Sequence, residues 1–554
     1  MRRPALPLST LLVATLVAIG TLPACAPGED RPAEPLFENL GSYEWIVSTD
    51  SPEAQRYFNQ GMIFCWGFNH EEAIRSFEQA AALDPDLAMA YWGIALASGP
   101  HINNPEMDEA ASLTAWENLQ RAVGLLGKAS PLEQELIEAL RARYADPPPE
   151  DRVPLDQAYA DAMRAVWTAH PENANVGALC AEAVMDLRPW DLWSPEGEPR
   201  PETPEVIETL TAVLTLDPEH PGANHFNIHT LEASPEPERA AESADRLRDM
   251  VPGLGHLTHM PSHIDIRLGQ YQEAILANQR AVAADSAYLE QGGSGAFFTL
   301  YSAHNYHFLA YAAMFAGRQQ LAMESARQMV VMIPLDLVYA LPDFMDGFLP
   351  IPYHVMIRFG MWNEMLAEPA PPADLPVTTA FWLYARTVAF AALGRVDEAT
   401  VELVKFEEAF ENVPESALIG NNSAIAVLEV ARPFAAGELE YRLGNTETAF
   451  ELLYEAVALD DALRYDEPWG WMEPVRHALG ALLLEQGRVE DAEAVYREDL
   501  RIHPGNGWAL LGLEECLRRS GNAQAAAEVQ KRLDVAWANA DINTKVSCYC
   551  RRGD

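Results

Sequence analysis

Eight of the chain's fourteen histidines fall between residues 225 and 354, and their spacings repeat. His225 and His229 are four residues apart, as are His259 and His263, while His256/His259 and His304/His307 are three apart. On a helix, residues three or four apart stand on one face, one turn above the other. Neutral imidazole is the commonest nitrogen ligand for Zn, Cu, Ni and Fe, so each such pair can chelate one ion. With His354 the set exceeds one coordination sphere. Either two metals sit close together, or some of the histidines act as supports or in catalysis. An all-nitrogen set without cysteine leans toward copper or zinc; iron or manganese would need a carboxylate. Glu182, Asp186 and Glu232 are the carboxylates within reach in sequence.

Two other readings of the same residues stand beside the metal site. Each histidine can be a satisfied polar residue between helices, which suits His70, His101, His170, His220 and His503, in turns or beside prolines. Alternatively, the cluster can line a metal-free groove for peptides or envelope proteins, although such grooves usually rely on Lys, Arg and Asn, which are sparse here. A bound ion could be stored, structural or catalytic, and catalysis needs an open coordination position. The chain carries no G-x-S-x-G, H-E-x-x-H, P-loop or dinucleotide fingerprint, so no known enzyme class is legible.

The elements that must position these histidines follow from internal repetition. In AQRYFNQGMIFCWGFNHEEAIRSFEQAAALDP, numbered from Ala54 as position 1, Gly61, Ala73 and Ala80 stand at positions 8, 20 and 27, with Tyr57, Phe64 and Phe77 at 4, 11 and 24 and Pro85 at 32. Small residues let two helices approach, aromatics fill the space around them, and proline ends the second helix. The frame recurs from Glu473 and Gly507, with further copies from Ala380 and Val430. This pattern resembles the tetratricopeptide repeat. The resemblance implies an all-α fold, a right-handed superhelical α-solenoid of about ten helix-turn-helix hairpins.

Frames anchored only on Gly, Ala and Pro start at Pro221, Gly255, Ala303 and near Asp346, and another at Ala174. They put His225 and His229 at positions 5 and 9, His256, His259 and His263 at 2, 5 and 9, His304 and His307 at 2 and 5, and His354 at 9. His477 also falls at 5, making nine of fourteen histidines at three positions. In the tetratricopeptide family these first-helix positions line the concave face, so all eight are expected on one surface. Pro261 at position 7 is expected to kink or delay its helix, which would leave His256 and His259 on a loop. Two segments, 189–204 and 283–301, are expected to be long connections. The string running from NHFNIHTLEAS through GHLTHMPSHIDIRLGQY to HNYHFL also resembles a set of exported bacterial tetratricopeptide proteins, from which no activity follows.

The formal charge of −44 argues against nucleic acid and against adsorption to anionic lipid, both of which need clustered Lys and Arg. Arg2 and Arg3, a short apolar run and LPAC at Leu22–Cys25 resemble a lipoprotein export signal, which implies cleavage before Cys25 and lipid attachment there. The expected organisation is a signal at 1–24, a tether at 25–50, hairpins at 51–220, histidine-rich hairpins at 221–366, further hairpins at 367–540 and a frayed tail at 541–554. The expected location is periplasmic or at the outer membrane, with membrane contact only through the lipid. Cys65 and Cys180 read as packing residues, and the Cys548/Cys550 pair as a tail feature of little weight.

Overall fold

The computed structural model describes residues 34–293 and 295–551. Residues 1–24 and Cys25 lie outside the described residues. Among those described, the strands are one two-residue antiparallel pair, Leu418–Ile419 with Asn422–Ser423; everything else regular is helix. Helices follow one another as helix-turn-helix pairs, so the fold is all-α and built from successive helical hairpins. No helix among the described residues is long and apolar enough to cross a membrane.

The first hairpin shows how residue types make the repeat. Ser51 caps Pro52–Trp66 by accepting from the Ala54 amide at 3.2 Å, and proline occupies the first turn, where no amide is needed. Asn69 caps the second helix, His70–Leu83. A Cβ at Gly61 would lie 2.5 Å from the Phe77 ring, and one at Gly93 of the next hairpin 2.7 Å from it. Two glycines thus hold one buried aromatic ring between helices. Gly480 and Gly512 hold Tyr496 in the same way.

Several local expectations are corrected. Residues 283–301 are not a long connection: helices Tyr271–Glu290 and Ala296–Phe315 take up most of them, because only the glycine-rich stretch between lacks good helix formers. The five-proline segment at 189–204 does stay irregular, apart from a Trp193/Pro199 bridge and the start of helix Thr203–Leu216. Pro261 interrupts its helix at Met260 without delaying it, so His256 and His259 are helical on Gly255–His259 and His263 on Pro261–Arg267. Within the expected tether, Trp45 and Val47 are buried and Phe37 packs edge-on against Phe64 at 5.3 Å. The described part of the expected frayed tail, 541–551, is packed: Cys548 and Cys550 form a disulfide and are buried, and Arg551 pairs with Glu515 at 2.7 Å.

The chain forms two compact units. One contains 34–264 and Gln279–Ser302; the other contains Asp265–Asn278 and 303–551. The first unit's core gathers Trp45, Phe64, Trp66, Phe77 and Trp92, and the second's gathers Tyr384, Phe434, Trp471, Leu482 and Tyr496. The histidine-rich hairpins are divided between them.

Two outcomes follow from this packing. Gly61→Ala should cost roughly 1–3 kcal/mol, because the fully buried Phe77 ring has nowhere to retreat; chemical denaturation checks it. In the second unit, burial pushes the Asp466 carboxyl up to about 7, against hydrogen bonds from the Glu467 and Asn421 amides and the Asn422 side chain. The folded chain therefore keeps a proton that an unfolded aspartate, with a value of about 4, has released. That stabilisation is full below about pH 4 and is lost as pH rises through about 7. The melting temperature should fall between about pH 5 and 8, and Asp466→Asn, neutral throughout, should lessen the fall.

Candidate metal centre

Helix Pro221–Leu231 carries His225 and His229 and is buried along its whole length. His220 caps it, accepting from the Ala223 amide through Nδ1 at 3.1 Å. Gly222 lets it press against the end of helix Pro52–Trp66, since a Cβ there would sit 2.5 Å from the Trp66 ring. The closing carbonyls of a helix have no partner of their own. The Trp66 carbonyl finds one in His225 Nδ1, which donates to it at 2.6 Å. Because that nitrogen holds the proton, the lone pair of neutral His225 is at Nε2.

Glu232, one residue past the same helix, does the equivalent for two more rings. Its Oε1 accepts from His229 Nδ1 at 2.8 Å and its Oε2 from His263 Nδ1 at 2.7 Å. All three side chains are buried, with Glu232 only 2 % exposed. A carboxylate holding the outer nitrogen of a histidine fixes the tautomer and raises the basicity of the inner one, the pattern found behind metal-ligating imidazoles. The lone pairs of His225, His229 and His263 are therefore all directed through Nε2.

Those inner nitrogens meet other imidazoles. His256 Nε2 lies 3.1 Å from His225 Nε2, and His259 Nε2 lies 2.7 Å from His263 Nε2. In each pair one nitrogen is a committed acceptor, so the facing nitrogen either donates a proton or shares a cation with it. If His256 donates from Nε2, its Nδ1 becomes a bare acceptor. That atom is buried without a hydrogen-bond partner among the described residues. His225, His229 and His256 each offer one donor atom, all within 4.8 Å of one another.

Electrostatics favour the neutral form of His225 and His256. Burial first, then the neighbouring imidazole of His229, holds His225 well below the usual value; for His256 the causes are burial and then His225. Phe68 forms one wall, with ring centroids 4.5 Å from His225 and 5.7 Å from His256. It adopts φ 57°, uncommon for an aromatic residue, in the turn between the first two helices. Trp190, at φ 58°, meets His229 edge-on at 5.6 Å, and its neighbour Trp193 is tied to the Thr230 carbonyl at 2.7 Å. Two strained aromatic residues thus flank the same histidines, and such strain collects at functional sites.

The structure brings together His225, His229, His256, His259, His263 and Glu232 within one unit. They do not line an open face: none of the five histidines is more than 6 % exposed. His304, His307 and His354 belong to the other unit, where His354 Nδ1 pairs with Glu473 at 2.9 Å. Among the described residues these three form no three-donor group within that unit. Within the first unit, five of the eight expected histidines form one compact, buried group. Asp186 is committed to Arg143 at 2.6 Å, and neither it nor Glu182 joins a donor group. Burial raises the Glu182 carboxyl to about 7.

Sequence reading missed His70 and His101. Both are buried, with ring centroids 4.2 Å apart, and His101 packs on Phe68 at 4.6 Å. His70 Nε2 and His101 Nδ1 have no hydrogen-bond partner among the described residues. Burial holds His70 down to about 3, helped by the Arg143 charge. His70 begins a helix and His101 lies in a connection, so neither gave a periodic signal. His220, capping a helix, and His170, paired with Glu135 at 2.8 Å, are the satisfied polar residues expected.

No protein-family model matches the chain, and no curated protein matches it in sequence. Similar solved structures include human IFIT1 as a dimer with m7Gppp-AAAA, at 12 % identity over 89 % of this chain and 91 % of that one, with a TM-score of 0.34. The same human protein with PPP-AAAA gives 12 % identity, 89 % and 92 % coverage, and a TM-score of 0.34. A likeness at this level carries no functional conclusion.

Proposed function

We propose that this tetratricopeptide-like protein binds a transition-metal ion, copper or zinc, through His225, His229 and His256. The observation that carries the reading is the convergence of three buried imidazole donors within 4.8 Å, two of them with Nδ1 committed to the Trp66 carbonyl or the Glu232 carboxylate. Lone pairs directed at each other in a dry interior are costly unless something positive sits between them. Three protein nitrogens leave a fourth position of a tetrahedral ion open, as in catalytic rather than purely structural zinc sites. Water or a small substrate would occupy it. The burial of these rings weighs against the runner-up reading, a metal-free scaffold gripping peptides or envelope proteins through the same residues.

Elemental analysis of untagged residues 26–554, purified without chelator, tests the site. Wild type should retain near-stoichiometric copper or zinc, and His225→Ala with His229→Ala should lose it. Glu232→Gln, which keeps the shape but weakens the hold on two imidazoles, should lower metal affinity about 10–100-fold. A wild type that holds no metal even after reconstitution would overturn the proposal and return attention to peptide partners.

The export signal and the lipid on Cys25 belong to the same proposal. They rest on the residue pattern at 1–25 and put the centre outside the cytoplasm, on an anchored chain. Expressed in a lipoprotein-processing bacterium, the wild type should partition with membranes, and Cys25→Ala should become soluble in the exported fraction.

A further inference from the structure

We infer that the site is built for two ions, with a second centre on His259 and His263 joined to the first through Glu232. The inference rests on the metal reading above and extends it. Five imidazoles are packed into one interior, and a four-coordinate ion with an open position uses only three. The two left over are a matched pair. His259 and His263 are four residues apart on either side of the Met260 interruption, their Nε2 atoms face each other at 2.7 Å, and both are at most 1 % exposed. Their outer nitrogens are held as a ligand's would be: His263 Nδ1 donates to Glu232, and His259 Nδ1 faces the Ser262 hydroxyl at 3.4 Å.

The two groups adjoin. The His256 and His259 rings stack with centroids 6.0 Å apart, and the His229 and His263 rings meet edge-on at 5.7 Å. Glu232 spans them, one oxygen on a ring of each group. An ion bound at the first group draws electron density through His229 and makes its Nδ1–H a stronger donor to Glu232. The shared carboxylate then has less charge to offer His263. Direct repulsion between two cations acts in the same direction. The second ion therefore binds more weakly than the first, and the two are coupled through one side chain.

The test is reconstitution of the metal-free chain with Cu(II), reading bound metal by elemental analysis and unpaired spin by electron paramagnetic resonance. Two equivalents bound in sequence, with dipolar broadening or integrated spin below the copper content, are expected. His259→Gln with His263→Gln, checked for folding by circular dichroism, should retain one equivalent with a full, uncoupled signal. One equivalent in the wild type would overturn the second centre while leaving the first standing. Two equivalents with full, non-interacting spin would place the second ion elsewhere and also overturn it. No bound copper or zinc would remove both readings together.

Discussion

A neutral imidazole has two nitrogens and one ring proton, and in a dry interior the partner that takes the proton decides where the lone pair points. Everything distinctive about this chain's interior depends on that constraint. The Trp66 carbonyl takes the His225 proton because it closes a helix and has no partner of its own. Glu232 takes the protons of His229 and His263 with its two oxygens. Three rings are thereby turned to present Nε2, and the remaining two, His256 and His259, are set opposite those atoms.

The fold supplies the rigidity this needs. A donor set is useful only if its rings cannot swing away, and here they are held by tight helix contacts. Gly222 admits Trp66, Phe68 fills the space beside His225 and His101, and Trp193 pins the proline-rich segment to the Thr230 carbonyl. The same packing removes the histidines from the surface. A peptide groove needs exposed side chains that change partners on binding, whereas these have at most 6 % exposure and partners already chosen. A small ion, as proposed, would need no such access once bound, and its binding energy would offset the cost of burying so many polar rings.

The strained turn at Phe68 and the positive φ of Trp190 fit this picture from another direction. Neither residue is required by the hairpin itself, since a glycine would serve the turn more cheaply. Both place an aromatic ring against a histidine. Beside them lie His70 and His101, each with a buried ring nitrogen that has no hydrogen-bond partner among the described residues, extending the polar interior past the clustered histidines.

Much of this was legible in the residue order. The spacing of Gly, Ala, aromatic and Pro residues states the hairpin directly, because helix packing tolerates only small residues at close approaches, and Gly61 against Phe77 bears this out. The i,i+4 pairs His225/His229 and His259/His263 are one-turn neighbours by helix geometry alone, and Glu232 could be named from its place after His229. Which histidines would meet could not be read there. Helical phase fixes a face, but distance between helices 30 or more residues apart depends on how the hairpins stack. That stacking set His225 against His256, tied Asp186 to Arg143, and brought together His70 and His101, which no period reveals. The sequence by itself determined the helical repeat and the local histidine pairs, because both are short-range consequences of 3.6 residues per turn. Only the tertiary structure decided the burial, the tautomers and the shared carboxylate, because each depends on contacts between residues far apart in the chain.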